Sequence, residues 1–245
     1  MGAFNIESMK KLVRRTKMEA ELAGIDTELT DEEYEAEKER VRNKYSEEEQ
    51  TSPVEEEKEE VKEVDFSTIC YDAETTGIDT EKDEIIRLSV IDRHGNILFN
   101  SYIRPTKHDS WDDAERVHGI SSEMLIYAPT KEDVMHSVKA IFDRADNIIT
   151  FNGSVFDNAM LKQWGIDLSN RNNIDVMREY SDFKKVPNDT GRSQKPNCYK
   201  WFTLSEVAES YGISCRSGDL MERLKITSEC YKKLTEEKSS VKSDK

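Results

Sequence analysis

Apolar positions recur along this chain with two different periods, and the change falls near residue 65. Ile6, Met9, Val13, Thr16 and Ala20 are spaced three or four apart, the stripe of a thin amphipathic helix that Gly24 ends. Thr30-Asp31-Glu32-Glu33 opens a second helix as a capping box, in which the Thr30 hydroxyl and the Glu33 carboxylate satisfy amide groups that a first turn leaves unpaired. Tyr34, Val41 and Tyr45 give that helix a narrow apolar face. A helical hairpin over residues 1–46 is predicted, with too little apolar surface to fold alone. Residues 47–65 carry a Glu/Lys run around Pro53 with no apolar period, and read as an acidic disordered linker.

From Phe66 the elements become short and more apolar. Phe66–Tyr71 reads as a strand, and Ile85–Asp92 and Ile97–Ile103 as two more, joined by the turn residues Arg93-His94-Gly95-Asn96. Thr130 to Asp133 caps a helix running to about Arg144, Asn147–Phe151 is a strand, and Val155–Trp164 is a helix stopped by Gly165. Thr203-Leu204-Ser205-Glu206 is another capping box, for a helix ending near Gly212. Leu220, Leu224, Thr227, Tyr231 and Leu234 stripe a last helix. A hairpin meander followed by alternating helix and strand predicts an α/β domain with a mixed sheet over residues 66–236, and a polar tail over 237–245.

Composition sharpens this division. The 245 residues are 36% hydrophobic and 36% charged, with a mean hydropathy of −0.79. Of the net charge of −15, residues 1–65 hold −10 (11 basic against 21 acidic) in about a quarter of the chain. Such acidity excludes a broad basic nucleic-acid surface, though not a local one. Cys70, Cys198, Cys215 and Cys230 form no CxxC pair, which argues against a disulfide scaffold or a zinc ribbon and fits a reducing, cytoplasmic setting. No apolar run is long enough to span a membrane, and no apolar signal segment opens the chain.

The chemistry is concentrated in Asp72-Ala73-Glu74-Thr75-Thr76-Gly77. Residues two apart on a strand face the same way, so Asp72 and Glu74 project together. Two carboxylates so placed repel unless a cation lies between them, and hard oxygen donors favour Mg²⁺ or Mn²⁺. A plain polar strand end explains one acid but not the whole hexad.

The hexad resembles the first motif of the DnaQ-like 3′–5′ exonucleases of the DEDD superfamily. Val117-His118-Gly119-Ile120 is similar to a loop these proteins place after the meander. Phe151-Asn152-Gly153-Ser154-Val155-Phe156-Asp157 resembles their second motif, with one residue more than its commonest form. Asn173–Met177 is similar to the strand that follows, and Lys200–Leu204 to the lead into the penultimate helix. The resemblance implies a ribonuclease H-like mixed β-sheet flanked by helices, here preceded by the hairpin and linker. It implies hydrolysis of phosphodiester bonds at 3′ ends with two Mg²⁺ or Mn²⁺ ions held by Asp72, Glu74 and Asp157. It also implies substrate contacts from Thr75, Thr76, Gly77, Ile78, Asn152 and Phe156, and places His118 in a loop of that site, where packing or capping is the expected role.

The third motif departs from that pattern. The family carries His-x-x-x-x-Asp on the final helix, but with Thr227 and Tyr231–Leu234 as anchors those positions fall on Gly218 and Arg223. Two readings stay open. Arg223 reaches Asp72 and Glu74 and substitutes its charge for the metal's, giving an inert nuclease fold. Alternatively, Asp219, one turn earlier on the same face, is the fourth catalytic acid. With Asp219 as that acid, the general-base position falls on Ser214, which is no base unaided.

Residues 183–201 hold Lys184, Lys185, Arg192, Lys195 and Lys200 against Asp189 alone, a local net charge of +4. This loop is expected to border the cleft and bind a 3′ end or single strand weakly. Tyr199, Trp201 and Phe202 offer stacking faces, although for Trp201 anchoring to the core is the favoured role. Two functions compete: a metal-dependent 3′–5′ exonuclease, and a degenerate exonuclease fold that binds nucleic acid or a protein partner. The hairpin over 1–46 is a candidate for docking a partner or for self-association.

Overall fold

The computed structural model describes residues 18, 22, 30–47, 63–188, 199–215 and 218–243. Met18 and Leu22 are helical, and the rest of the first expected helix lies outside the described residues, as do most of the linker, Arg192, Lys195 and Cys198. Helix α1 spans Asp31–Glu47. Its capping box is present, with the Thr30 amide donating to Glu33 Oε2 (3.0 Å) and the Glu33 amide to Thr30 Oγ1 (3.4 Å).

Strands β1 (Thr68–Thr75), β2 (Ile85–Asp92), β3 (Ile97–Tyr102), β4 (Asn147–Thr150) and β5 (Asn172–Asp175) form one sheet in the order β3-β2-β1-β4-β5. The pairs β1–β2 and β2–β3 are antiparallel, and β1–β4 and β4–β5 parallel. The mixed sheet is therefore the expected one. Helices α2 (Asp112–His118), α3 (Lys131–Phe142), α4 (Phe156–Lys162), α5 (Val176–Lys184), α6 (Leu204–Ser210) and α7 (Leu220–Ser243) complete the domain.

Apolar side chains fill both faces of the sheet. Ile69, Tyr71 and Ala73 pack with Phe142 of α3 and Met160 and Leu161 of α4. Cys70 faces the other way, packing with Val176 and Tyr180 of α5, Val207 of α6 and Leu224 and Cys230 of α7. Alternation along β1 thus sends Cys70, Asp72 and Glu74 to the α7 side. The central strand is apolar at its start and acidic at its end, and only the end lies beyond the packed core.

Several expected boundaries move. Strand β1 continues through Thr75, so both acids lie within the ladder, Asp72 opposite Ser89 and Glu74 opposite Arg87. Val176 and Met177, expected to end a strand, instead open α5, because the Asp175 side chain accepts the Arg178 amide and starts a helix there. The expected basic loop consequently begins as the last turn of that helix. The expected polar tail is helical through Ser243: Glu237 accepts from Lys184 and Tyr211, and Lys238 pairs with Glu179.

The hairpin between β2 and β3 is organised by one buried carboxylate. Asp92 accepts the amides of His94 (2.8 Å), Asn96 (2.8 Å) and Asp65 (3.0 Å), and the Asn96 carboxamide (2.7 Å). Replacing it strands several donors at once, each costing on the order of 1–3 kcal/mol. Asp92→Ala is expected to lower unfolding stability by about 3 kcal/mol or more, read as a reduced urea midpoint at unchanged m-value.

Candidate active site

Asp72 and Glu74 leave β1 side by side, and Arg223 of α7 closes over them. Its Nη2 lies 2.8 Å from both Asp72 Oδ2 and Glu74 Oε1, and its Nε 3.1 Å from Asp72 Oδ2. The guanidinium thus occupies the cation position between two paired carboxylates, as the first of the two open readings expects. Asp157, in the first turn of α4, is buried beside them. Burial pushes its carboxyl well above the usual aspartate range, and the charges of Asp72 and Glu74 push it further. Burial also raises Asp72, opposed by Arg223 and reinforced by Glu74. Two acids therefore share one guanidinium, and burial of Asp157 beside them favours its protonated form.

Asp219 is not part of this cluster. It caps α7, accepting the amides of Met221 (2.8 Å) and Glu222 (3.2 Å), and it pairs with Arg87 at 3.1 Å. Burial alone would raise its pKa, but Arg87 and those amides hold it below the ordinary value. The one-turn displacement from Arg223 thus leads it to a different partner, Arg87, and not to the guanidinium that holds Asp72 and Glu74. Arg87 sits on β2 opposite Glu74, with its guanidinium 5.2 Å from the Tyr102 ring centre. Two ion-pair groups thus stand side by side, Arg223 with Asp72 and Glu74 and Arg87 with Asp219. Sequence reasoning missed Arg87, because nothing local marks a strand arginine as the partner of a residue 132 positions away.

The loop after β1 is built by Asp83. Its carboxylate accepts the Thr76 hydroxyl (3.0 Å) and the Asp79 amide (2.7 Å). A Cβ on Gly77 would lie 2.4 Å from Asp83 Oδ2, so that glycine makes room for this carboxylate within the fold. Thr75 Oγ1 donates to the Gly77 carbonyl (2.6 Å), and Ile78 beyond it is 90% exposed. Of the residues implied as substrate contacts here, Thr75, Thr76 and Gly77 thus shape the loop and Ile78 faces solvent.

His118 braces this loop. Its Nδ1 accepts the Ile120 amide (3.0 Å), which leaves Nε2 to carry the proton and donate to the Thr75 carbonyl (3.2 Å). Fixed in that tautomer, it is a neutral strut. The other histidines are also placed elsewhere: His94 in the hairpin turn, His108 against Asp83 and Glu84, and His136 exposed on α3.

Asp175 governs the loop carrying Asp157. Besides capping α5, it accepts the Asn152 amide (2.9 Å) and the Ser154 hydroxyl (2.8 Å). Asn152 is held at φ 57°, its side chain exposed. A Cβ on Gly153 would lie 2.0 Å from Asp157 Oδ2, so this position admits only glycine beside the acid. Phe156 packs against the core rather than facing the cleft. Asp175 was legible only as part of an apolar strand, although an acid directly before a helical stripe is a capping signal.

The basic segment is largely internally satisfied where it is described. Lys184 pairs with Glu237, and Lys200 with Glu206. Phe202 stands edge-on to Tyr180 at 5.0 Å and anchors the segment, whereas Trp201, expected to anchor, is 62% exposed.

A family model described as Exonuclease (RNase T) matches residues 69–214. An uncharacterized exonuclease, CP81, of Escherichia phage 186 is 30% identical over 156 residues, covering 60% of this chain and 75% of its own. The PolC-type DNA polymerase III of Thermotoga maritima is 24% identical over 176 residues, covering 70% of this chain but 12% of the polymerase. Among solved structures, the zinc-bound E. coli Exonuclease I–ssDNA complex superposes with a TM-score of 0.54 at 15% identity. It covers 67% of this chain and 39% of that one, so the chain spans about two fifths of that enzyme's length. Exonuclease I with a dT13 oligonucleotide gives the same TM-score and identity over 68% of this chain and 40% of that one. The mixed sheet with flanking helices is the ribonuclease H-like fold of these exonucleases.

Gly153→Ala is expected to displace the Asp157 carboxylate while leaving the core intact, seen as loss of any divalent-ion stabilisation with near-parental unfolding in EDTA. The raised acids set a pH dependence. A group whose folded pKa exceeds its unfolded value contributes stability that is complete below the unfolded pKa and lost as pH rises through the folded one. Asp157→Asn removes that loss. In EDTA it is expected to melt above the parent at neutral pH and higher, with the difference closing toward pH ~4, near the ordinary aspartate pKa.

Proposed function

Because the chain belongs to the exonuclease family, whose domain is that of a hydrolase acting on nucleic acids, we propose that it is a metal-dependent 3′–5′ exonuclease of single-stranded ends. The observation that carries this reading is the pairing of Asp72 and Glu74 around Arg223, with buried Asp157 near enough to feel their charges; among the described residues no three such side chains stand close enough to hold an ion as they are placed. Three acids against one cation leave a charge deficit that a divalent ion suits, and carboxylate oxygens are hard donors. Those three residues would hold Mg²⁺ or Mn²⁺, which when bound supplies an acidified water and stabilises the leaving oxygen.

The chain's own residues set the terms. Arg223 competes for the acids an ion needs, so the metal requirement exceeds that of a cluster without an arginine. Asp157 must yield its proton before it can coordinate, which shifts activity to higher pH. With every histidine placed elsewhere, no imidazole serves as base. The loop at Gly77–Ile78, braced by His118, receives the terminal nucleotide. Exonuclease I binds single-stranded DNA in the structures it shares this fold with, which supports a single strand as ligand here.

The Arg223 ion pair also favours a second reading, in which the guanidinium permanently neutralises the site and the domain binds nucleic acid or a protein without cleaving. Under either reading, docking of a partner or of a second copy is the role proposed for residues 1–46, most of which lie outside the described residues. Among the described residues no helix is long and apolar enough to cross a membrane, and a cytoplasmic setting belongs to this proposal.

Degradation of 5′-labelled single-stranded DNA and RNA in Mn²⁺, against EDTA, tests the choice. The expected result is metal-dependent 3′ shortening, abolished in Asp72→Ala and raised at least ~10-fold in Arg223→Asp, equivalent to about 1.4 kcal/mol of barrier. Shortening only in Arg223→Asp supports the second reading. No shortening in any variant, with the fold intact, rules out the nuclease reading.

A further inference from the structure

A cavity of about 430 Å³ opens beside the acids, with the Asp72–Arg223 ion pair in its lining together with Phe151, Asn152, Trp201 and Thr203. We infer that this cavity receives one nucleobase of a single-stranded nucleic acid, and that Trp201 is the face on which that base stacks. The inference rests on the proposed function only in taking a nucleic-acid strand as the ligand.

Trp201 is 62% exposed, although large aromatics are usually covered. The core does not require its ring, since the neighbouring Phe202 packs against Tyr180 and holds the segment down. An exposed indole beside a cavity lined by Phe151, Met177, Phe202 and Leu204 as well as by the Asp72–Arg223 pair offers a flat π surface, and stacking on such a surface is the sequence-tolerant way proteins hold single strands. The Arg178 guanidinium lies 6.0 Å from the Trp201 ring centre. That distance is at the outer reach of a cation–π contact; Arg178 also pairs with Asp175 at 3.6 Å, and its half-exposed side chain is the cation nearest this ring for a phosphate beside a stacked base.

Asn152 supplies a polar edge. It is held in the left-handed region at φ 57°, and among the described residues its carboxamide makes no hydrogen bond, leaving a donor and an acceptor for a base or sugar. The volume falls within the ~300–1,000 Å³ typical of small-molecule sites. An apolar peptide filling the cavity would bury the Asp72–Arg223 pair and bear its desolvation. A base stacked on Trp201 leaves its sugar–phosphate edge toward the ion pair and keeps that pair wet.

The chain's tryptophans make the test specific, because Trp111 and Trp164 are buried at 6% and 5% exposure. Oligo(dT) is titrated into the full chain in EDTA, where metal-dependent cleavage is absent, while tryptophan fluorescence and the anisotropy of a labelled oligonucleotide are followed. The expected result is quenching on binding. Trp201→Ala is expected to abolish the quench and weaken binding about tenfold, and Trp201→Phe, which keeps a π face, to restore most of the affinity. Binding without quenching, unchanged affinity in Trp201→Ala, or no binding at all overturns the inference. Quenching with no metal-dependent shortening leaves it standing and removes the nuclease reading. Asp72-dependent shortening with Trp201→Ala binding like the parent does the reverse.

Discussion

The charge of Arg223 is the constraint around which this domain is arranged. Alternation along β1 places Asp72 and Glu74 on the face covered by α7, and a strand that began apolar ends with two acids pointing the same way. Asp157 arrives from the far side of the sheet's parallel half and adds a third. Such a cluster is stable only with a cation inside it. Here the cation is tethered to the helix that also covers the lower part of the same face, so core packing and charge balance are delivered by one element.

Around that pair, carboxylates rather than apolar contacts fix the loops. Asp83 holds the turn after β1, Asp175 holds the turn before Asp157, Asp92 holds the hairpin, and Asp219 holds the start of α7. Each gathers backbone amides that the adjoining turn or helix start leaves unpaired. An acidic chain thus turns these four acids to internal use. Gly77 and Gly153 complete the pattern, since each leaves space that a carboxylate fills.

Much of this was legible in the sequence where a signal was local. The capping boxes at Thr30 and Thr203, the β2–β3 hairpin, and the Asp72/Glu74 pair all depend on neighbours within a few positions. The resemblance of the second motif to the exonucleases led to Asp157. What was not legible depends on distant partners. Asp219 is drawn to Arg87 on another strand, Glu237 extends α7 by binding Lys184 and Tyr211, and Trp201 and Phe202 exchange their expected roles according to which ring meets Tyr180. Helix α5 was hidden because its first residues, Val176 and Met177, continue the apolar run of β5 without a break, and only the Asp175 side chain separates strand from helix.

An acid cluster that carries its own counter-ion changes the order in which a protein of this kind can be made. Metal-dependent sites often couple folding to ion supply, because repelling ligands come together only when the ion does. Here the guanidinium is part of the polypeptide, so the chain can reach its native structure during synthesis whatever the local concentration of divalent ions. Folding of this cluster thereby need not wait on an ion.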